Sequence, residues 1–443
     1  MIGELDKLLV LLVFSSLAIP ATYLAIAKSR RLEWFLLVAA LVTSTFTTHL
    51  GITFTAQEDH YRGTVFGFTI QVADLIYLPL LLKTIVNKPP LEAQVLGGIF
   101  LLFLATLAIS VLNAPISRHI NSYYAIFEMA KFGMVLAVFA GNITNRRLEA
   151  TLVALLLIAT LHGMSFLWER YVQGVYRVSS FLHHPNLMGS FVIVVSMPLM
   201  FLLVTHRRRS SIRPFVIAVP TFLISLGAIL SVSRSALALM LIGILCILVY
   251  LSLHHANKAL RWGLILMALS IPIGFKASDT FVERLEHGVL SGGGRAEMDA
   301  LAIKMGLDYV TGVGINNYSL AARTYDTEHF AAVHFHDDLP PAHNAFLLMM
   351  AETGVGGMII FSLLFIFPLI QGMIAQHRMA DSDWRKYFLL GMILATCLLL
   401  LQSMLEDSLR RSAIMSLLFP YLGILTAAPA MLKRERLNGL APA

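Results

Sequence analysis

The chemistry in this chain gathers at four polar stretches set into long apolar runs. The first is Arg177-Val-Ser-Ser-Phe-Leu-His183-His184-Pro185-Asn186, whose last two residues read as a helix start. It is either a helix cap with an arginine reaching for headgroups or a cationic, hydrogen-bonding rim. The second is Ser231-Val-Ser233-Arg234-Ser235, a very short turn between two apolar runs. A charge at such a boundary is costly unless something pairs with it. A guanidinium is a planar fork that suits phosphate oxygens, so Arg234 with Ser233 and Ser235 reads as a clamp for a lipid diphosphate or as a headgroup-seeking side chain. The third is Ser291-Gly292-Gly293-Gly294-Arg295, running into helical spacing at Met298, Leu301 and Met305. A glycine run before a helix can aim several N–H groups at one anion, and it can equally be a plain turn. Thr311-Gly312-Val-Gly314-Ile-Asn316-Asn317-Tyr318 follows as a tight-turn signature.

The fourth stretch is Pro340-Pro341-Ala-His343-Asn344, followed nine residues later by Gly354-Val-Gly-Gly357. The prolines place His343 in the first turn of an apolar helix. The positive end of a helix favours the neutral imidazole, the form a general base needs. Gly354 and Gly357 allow close helix approach. A surface histidine at a helix start is the bland alternative. His334, His336, Asp337 and Asp338 cluster nearby, but adjacent residues point apart on regular structure, so no metal site is assigned and no cofactor is called for.

The elements that must hold these residues are membrane spans. Of the 443 residues 57% are hydrophobic and 13% charged, about half the charge of a soluble domain. Apolar runs of bilayer length fall near 8–27, 35–54, 64–86, 94–112, 122–142, 148–168, 186–205, 214–232, 235–253, 261–278, 355–376, 387–405 and 412–431. The fold class is therefore an all-α polytopic membrane protein with twelve or thirteen transmembrane helices. The first run is read as a retained helix, since Glu4 and Asp6 precede it rather than a basic segment. Alternate loops hold 19 of the 33 Lys and Arg, from Lys28 through Arg207–Arg209 to Arg436, which sets those loops in the cytoplasm. All four polar stretches then fall on the opposite face. So does the one long polar segment, 276–342, with ten acids against five Lys and Arg. Three regions follow: 1–275, the loop domain 276–342, and 343–443. Basic residues confined to short loops speak against nucleic-acid binding. Cys246 and Cys397 sit in apolar runs and read as small buried hydrophobes. Asp74, Glu128 and Lys131 lie inside spans; Glu128 and Lys131 are three apart and can pair on one helix. A transporter would use these three as a coupling site, but it would concentrate its polar residues at the midplane rather than at one face.

The spacing His343-Asn344-x9-Gly354-x-x-Gly357 resembles the His-[Asn/Ser/Gln]-x9-Gly-x-x-[Gly/Thr/Tyr] pattern of bacterial O-antigen ligases. Arg177 with His-Pro-Asn186, Ser-Arg234-Ser-Ala, and Arg295 followed by Thr-Gly-Val-Gly314-x-x-Asn317-Tyr318 resemble the other landmarks of that superfamily, in the same order. A tryptophan of the pattern, after Arg295, is absent here. The superfamily also holds O-antigen polymerases and protein O-oligosaccharyltransferases. The resemblance implies a glycosyltransferase-C-like fold in the bacterial inner membrane with its site facing the periplasm. It implies metal-independent, inverting transfer of O-antigen from undecaprenyl diphosphate to a sugar hydroxyl of lipid A-core. In that scheme His343 is the base and Arg234, Arg177 and Arg295 hold the diphosphate. Ser233, Ser235, Asn186, Asn344, Gly354 and Gly357 support them.

Overall fold

The computed structural model describes residues 4–46, 50–56, 64–141, 143–182, 184–205, 213–255, 257, 261–262, 293–325 and 341–438. All but the first two residues of the span expected at 261–278 and the cluster His334, His336, Asp337 and Asp338 lie outside these residues, as do His183, Ser291, Gly292 and Pro340. The chain is an all-α polytopic membrane protein. Eight helices among the described residues are long and apolar enough to cross a bilayer, and Pro214–Leu230 is a shorter apolar helix.

The chain opens with α1 (Glu4–Lys28) and α2 (Arg30–Thr43). Ser29 caps α2 by accepting the Leu32 N–H, which marks the break between them. Where the sequence reading ran spans through 35–54 and 64–86, the structure places a hairpin of β1 (Gly51–Ala56) and β2 (Gly67–Gln71). Residues there alternate with period two, as in Ile52-Thr-Phe-Thr and Phe68-Thr-Ile, and glycines bound both strands, so the segment reads better as strand than as helix end. Thr53 and Thr69 meet across the pair, Oγ1 to Oγ1, at 3.0 Å. The next helix, α3 (Val72–Val86), is then only 15 residues long.

The bundle proper is α4 (Leu91–Ser110), α5 (His119–Gly141), α6 (Asn145–Tyr171), α7 (Pro185–Thr205), α8 (Pro214–Leu230) and α9 (Arg234–His254), then α12 (Ala345–His377), α13 (Trp384–Ser403) and α14 (Ser412–Leu437). The last of these is the axle: 94% of its spanning window is buried, against 33% for α4 and α9 at the rim. A helix apolar on all sides buries all sides, and α14 does so against α5, α12, α4 and α7. Cys246 and Cys397 face outward, contrary to the buried reading. In a bilayer the outer surface is as apolar as the core, so a small hydrophobe gains little by hiding.

Two helices lie outside the bundle, α10 (Gly293–Asp308) and α11 (Tyr318–Tyr325). The helical spacing of Met298, Leu301 and Met305 is realised: all three are buried. They help form a small second core of Leu301, Ala302, Met305, Val313, Tyr318 and Ala322 against Leu348 and Ala351 of α12.

The basic loops expected on one side do share a face. Glu33 is bonded by Lys83 at 2.7 Å and by Arg147 at 2.8 Å. Two residues before Arg147, Asn145 meets Glu435 at 2.9 Å, and Arg385 joins Glu435 at 2.6 Å. The polar stretches of interest lie at the other end of the same helices.

Candidate functional site

The first stretch is pinned to the second. Arg177 donates through Nε to the Ser231 carbonyl at 3.2 Å and through Nη2 to Asn186 Oδ1 at 2.9 Å. The Val178 N–H reaches the Leu230 carbonyl at 3.2 Å, so the chain after α6 is laid along the end of α8. The helix α7 begins at Pro185, as its sequence implies. The turn at 231–233 is closed by Val232 in the left-handed region, φ 52°. Ser233 is buried, its hydroxyl 3.2 Å from that of Ser235, while Arg234 stands exposed at the first position of α9.

His343 stands at the start of α12, and the sequence expectation for it needs one correction. The helix is capped by Asn344, whose Oδ1 accepts the N–H groups of Phe346 and Leu347 at 3.0 and 3.2 Å. His343 therefore precedes the helix rather than riding its first turn, because asparagine is a far better cap than the prolines before it. The loop helix α10 seats the same joint: the Asp299 carboxylate accepts the backbone N–H of Asn344. Arg295, exposed one turn earlier on α10, brings a positive charge near the imidazole. Partial burial and then Arg295 push His343 below its ordinary value near 6.5, with Asp407 opposing them. The ring makes no hydrogen bond among the described residues.

Three of the charged residues at the site were missed by the motif reading: Glu406, Asp407 and Arg411, on the turn between α13 and α14. Asn186 donates its Nδ2 to Glu406 at 3.1 Å, and Arg411 bonds Asp407 at 2.6 Å. Burial pushes the Glu406 carboxyl above the usual carboxylate range although Arg295, Arg177 and Arg411 all pull it down. His184 is pushed down by partial burial and by Arg177 and Arg411. The available signal was charge density, four charges within Glu406-Asp-Ser-Leu-Arg-Arg411 between two apolar runs.

The glycines of the fourth stretch do something more specific than thin a helix face. Gly354 breaks α12 with φ 76° and ψ 174°, a conformation essentially restricted to glycine. The break frees the carbonyls of Ala351 and Glu352, which accept the N–H groups of Val313 and Gly314 at 2.9 and 3.1 Å. A β-carbon at Gly354 would lie 1.9 Å from the Val310 carbonyl oxygen. Gly357 lies against the Thr353 side chain, with Thr106 beyond it. The turn signature 311–318 is thus the piece that docks the loop. Asn316 takes the Thr64 and Val65 N–H groups on its Oδ1 and donates to the carbonyls of Val65 and Asn121. Beneath it, Arg410 bonds Glu352 at 2.6 Å and Thr64 at 3.0 Å, and Glu352 also accepts the Tyr318 N–H.

The charges inside the bundle form a separate group. Lys131 donates to Glu128 at 2.9 Å, Asp74 at 3.2 Å and the Thr69 carbonyl at 2.8 Å. An ammonium has three N–H groups, and all three are engaged. The pairing of Glu128 with Lys131 follows the helix spacing, and the triad ties β2 and α3 to α5.

The described residues thus form a helical membrane bundle with a histidine and several arginines gathered at one end, under a docked loop helix. Residues 219–362, about a third of the chain, match the family model described as O-antigen ligase, the superfamily whose landmarks the sequence resembles. No curated protein matches the chain.

Proposed function

We propose that the protein is an O-antigen ligase, transferring the polysaccharide en bloc from undecaprenyl diphosphate to a sugar hydroxyl of lipid A-core. The observation that supports this reading is the seating of His343, without a hydrogen bond among the described residues and held towards neutrality, near Arg295 and Arg411. His343 accepts the acceptor hydroxyl proton as the oxygen attacks the anomeric carbon. The bond to the diphosphate breaks on the opposite face, which inverts the configuration. Undecaprenyl diphosphate leaves with its charge held by Arg234, Arg177 and Arg295. A diphosphate so compensated is a fair leaving group without a metal. Ser233 and Ser235 add donors, and Asn186 and Asn344 orient Arg177 and the His343 joint. The described part of the loop domain, 293–325, acts as the cover of the site, and the site faces the periplasm from the inner membrane.

The test is a product assay with purified protein, a polyprenyl-linked glycan and lipid A-core. Capped core is the expected product. Lengthened lipid-linked glycan would instead indicate a polymerase, and transfer only to a polypeptide a protein-glycosylating enzyme. Chelators are expected to leave the rate unchanged, while Arg234→Lys loses most of it because an ammonium cannot reproduce the guanidinium fork. Loss with chelator and recovery on adding Mg²⁺ or Mn²⁺ would sink the arginine account.

Sidedness has its own check. In a variant lacking Cys246 and Cys397, single cysteines at 205–213 and 377–386 are expected to resist an impermeant thiol reagent in intact cells. Cysteines at 285–340 are expected to react. The reverse pattern would put His343 on the cytoplasmic side.

A further inference from the structure

The family match ends at residue 362, well before the turn that joins α13 to α14. Yet two consecutive acids of that turn each hold a guanidinium at the site. Glu406 reaches Arg177 through an amide: its Oε1 accepts from Asn186 Nδ2 at 3.1 Å, and Asn186 Oδ1 accepts from Arg177 at 2.9 Å. The neutral spacer orients Arg177 without a direct ion pair to Glu406. Asp407 takes Arg411 at 2.6 Å through one Nη. The Arg411 side chain is 33% exposed, and its other N–H groups have no partner among the described residues. Its charge bears on His343, His184 and Glu406, and that of Arg177 on the latter two. Glu406 and His184 thus lie within reach of both arginines. The Arg411 fork suits the oxygens of one phosphate; the Arg177 charge, linked to it through Asn186, Glu406 and Asp407, suits a second.

We infer that Arg411 is a further phosphate ligand, working with Arg177 so that the pair grips both phosphates of a lipid diphosphate, with Glu406 and Asp407 as the positioning residues. The inference rests on the donor class proposed above and adds to it a means of telling a lipid diphosphate from a lipid monophosphate.

The experiment compares binding of undecaprenyl diphosphate and undecaprenyl monophosphate to the full chain in one micelle system. Arg411→Gln is expected to weaken the diphosphate by roughly tenfold to a hundredfold, the worth of a charge-assisted hydrogen bond, while leaving the monophosphate nearly unchanged. The preference for diphosphate then collapses. Asp407→Asn is expected to move the same ratio by a smaller factor. A role confined to folding would shift both affinities together, so a parallel fall, or an unchanged diphosphate affinity, overturns the assignment. Arg411→Lys keeps the charge but loses the fork; it carries the same expectation if the glutamine variant does not insert. Absence of any diphosphate preference in the unaltered protein would instead overturn the donor reading itself.

Discussion

His343→Ala is expected to lose glycan transfer by roughly 10²–10⁴-fold, the usual contribution of a positioned base. Donor binding should survive, since the grip on the diphosphate is assigned to arginines on other segments. The imidazole sits outside the helix, before the Asn344 cap, so its removal disturbs neither the cap bonds nor the Asp299 contact to the Asn344 N–H. His343→Gln should not rescue, because an amide bonds a hydroxyl without accepting its proton. The pH dependence carries a sign. A base must be neutral, and burial with Arg295 lowers this histidine from 6.5. The rate should therefore hold through pH 6.5 and fall only at lower pH, as the imidazole takes up a proton. Transfer to lipid A-core and donor binding, measured side by side, decide the matter. Near-normal transfer removes His343 from the chemistry, and lost donor binding makes it a phosphate ligand instead.

The second large effect is structural. Glu352→Ala is expected to destabilise the protein by about 3–5 kcal/mol, the cost of leaving one member of a buried ion pair alone. Arg410 and Glu352 are 0% and 3% exposed at 2.6 Å, and Arg410 Nε has no partner among the described residues. The substitution also removes the acceptor of the Tyr318 N–H, so the docked turn loses its floor. Glu352→Gln keeps the shape and one acceptor and should lose less. Equilibrium unfolding in mixed micelles would measure both. An alanine variant as stable as the parent would show that the turn is held by its backbone bonds alone.

How far the sequence could be read depends on the kind of signal. Apolar runs of bilayer length mark α4 to α9 and α13 to α14 because a span needs nothing more than length and hydropathy. The region 35–86 misled because Ile52, Phe54, Phe68 and Ile70 of β1 and β2 extend the apolar runs of the neighbouring helices, and only their period of two sets them apart. The ordered motifs brought Arg177, Arg295 and His343 to one end of the bundle, with Arg234 opening the adjoining helix. Glu406, Asp407 and Arg411 escaped notice since they approach from the far end of the chain, in a turn with no motif. Their role depends on where α13 and α14 deliver them, and no local pattern records that. Gly354 was read as a close-packing residue. That Gly354 ends one helix segment and starts another required the partner, the turn at 310–314, to be seen.

The break at Gly354 has a consequence for how the loop can vary. Its seat is made from main chain to main chain, Val313 and Gly314 on the carbonyls of Ala351 and Glu352. Such bonds do not record side-chain identity. Away from Asp299 and the apolar stripe of Met298, Leu301 and Met305, outward positions of α10 such as Glu297, Ala300 and Ile303 are free to change without unseating it. The protein thus carries an exchangeable cover on a fixed fitting: outward positions of α10 taken from related chains, with Arg295, Asp299 and the apolar stripe kept, would present new surfaces to the glycan over an unaltered base and arginine set.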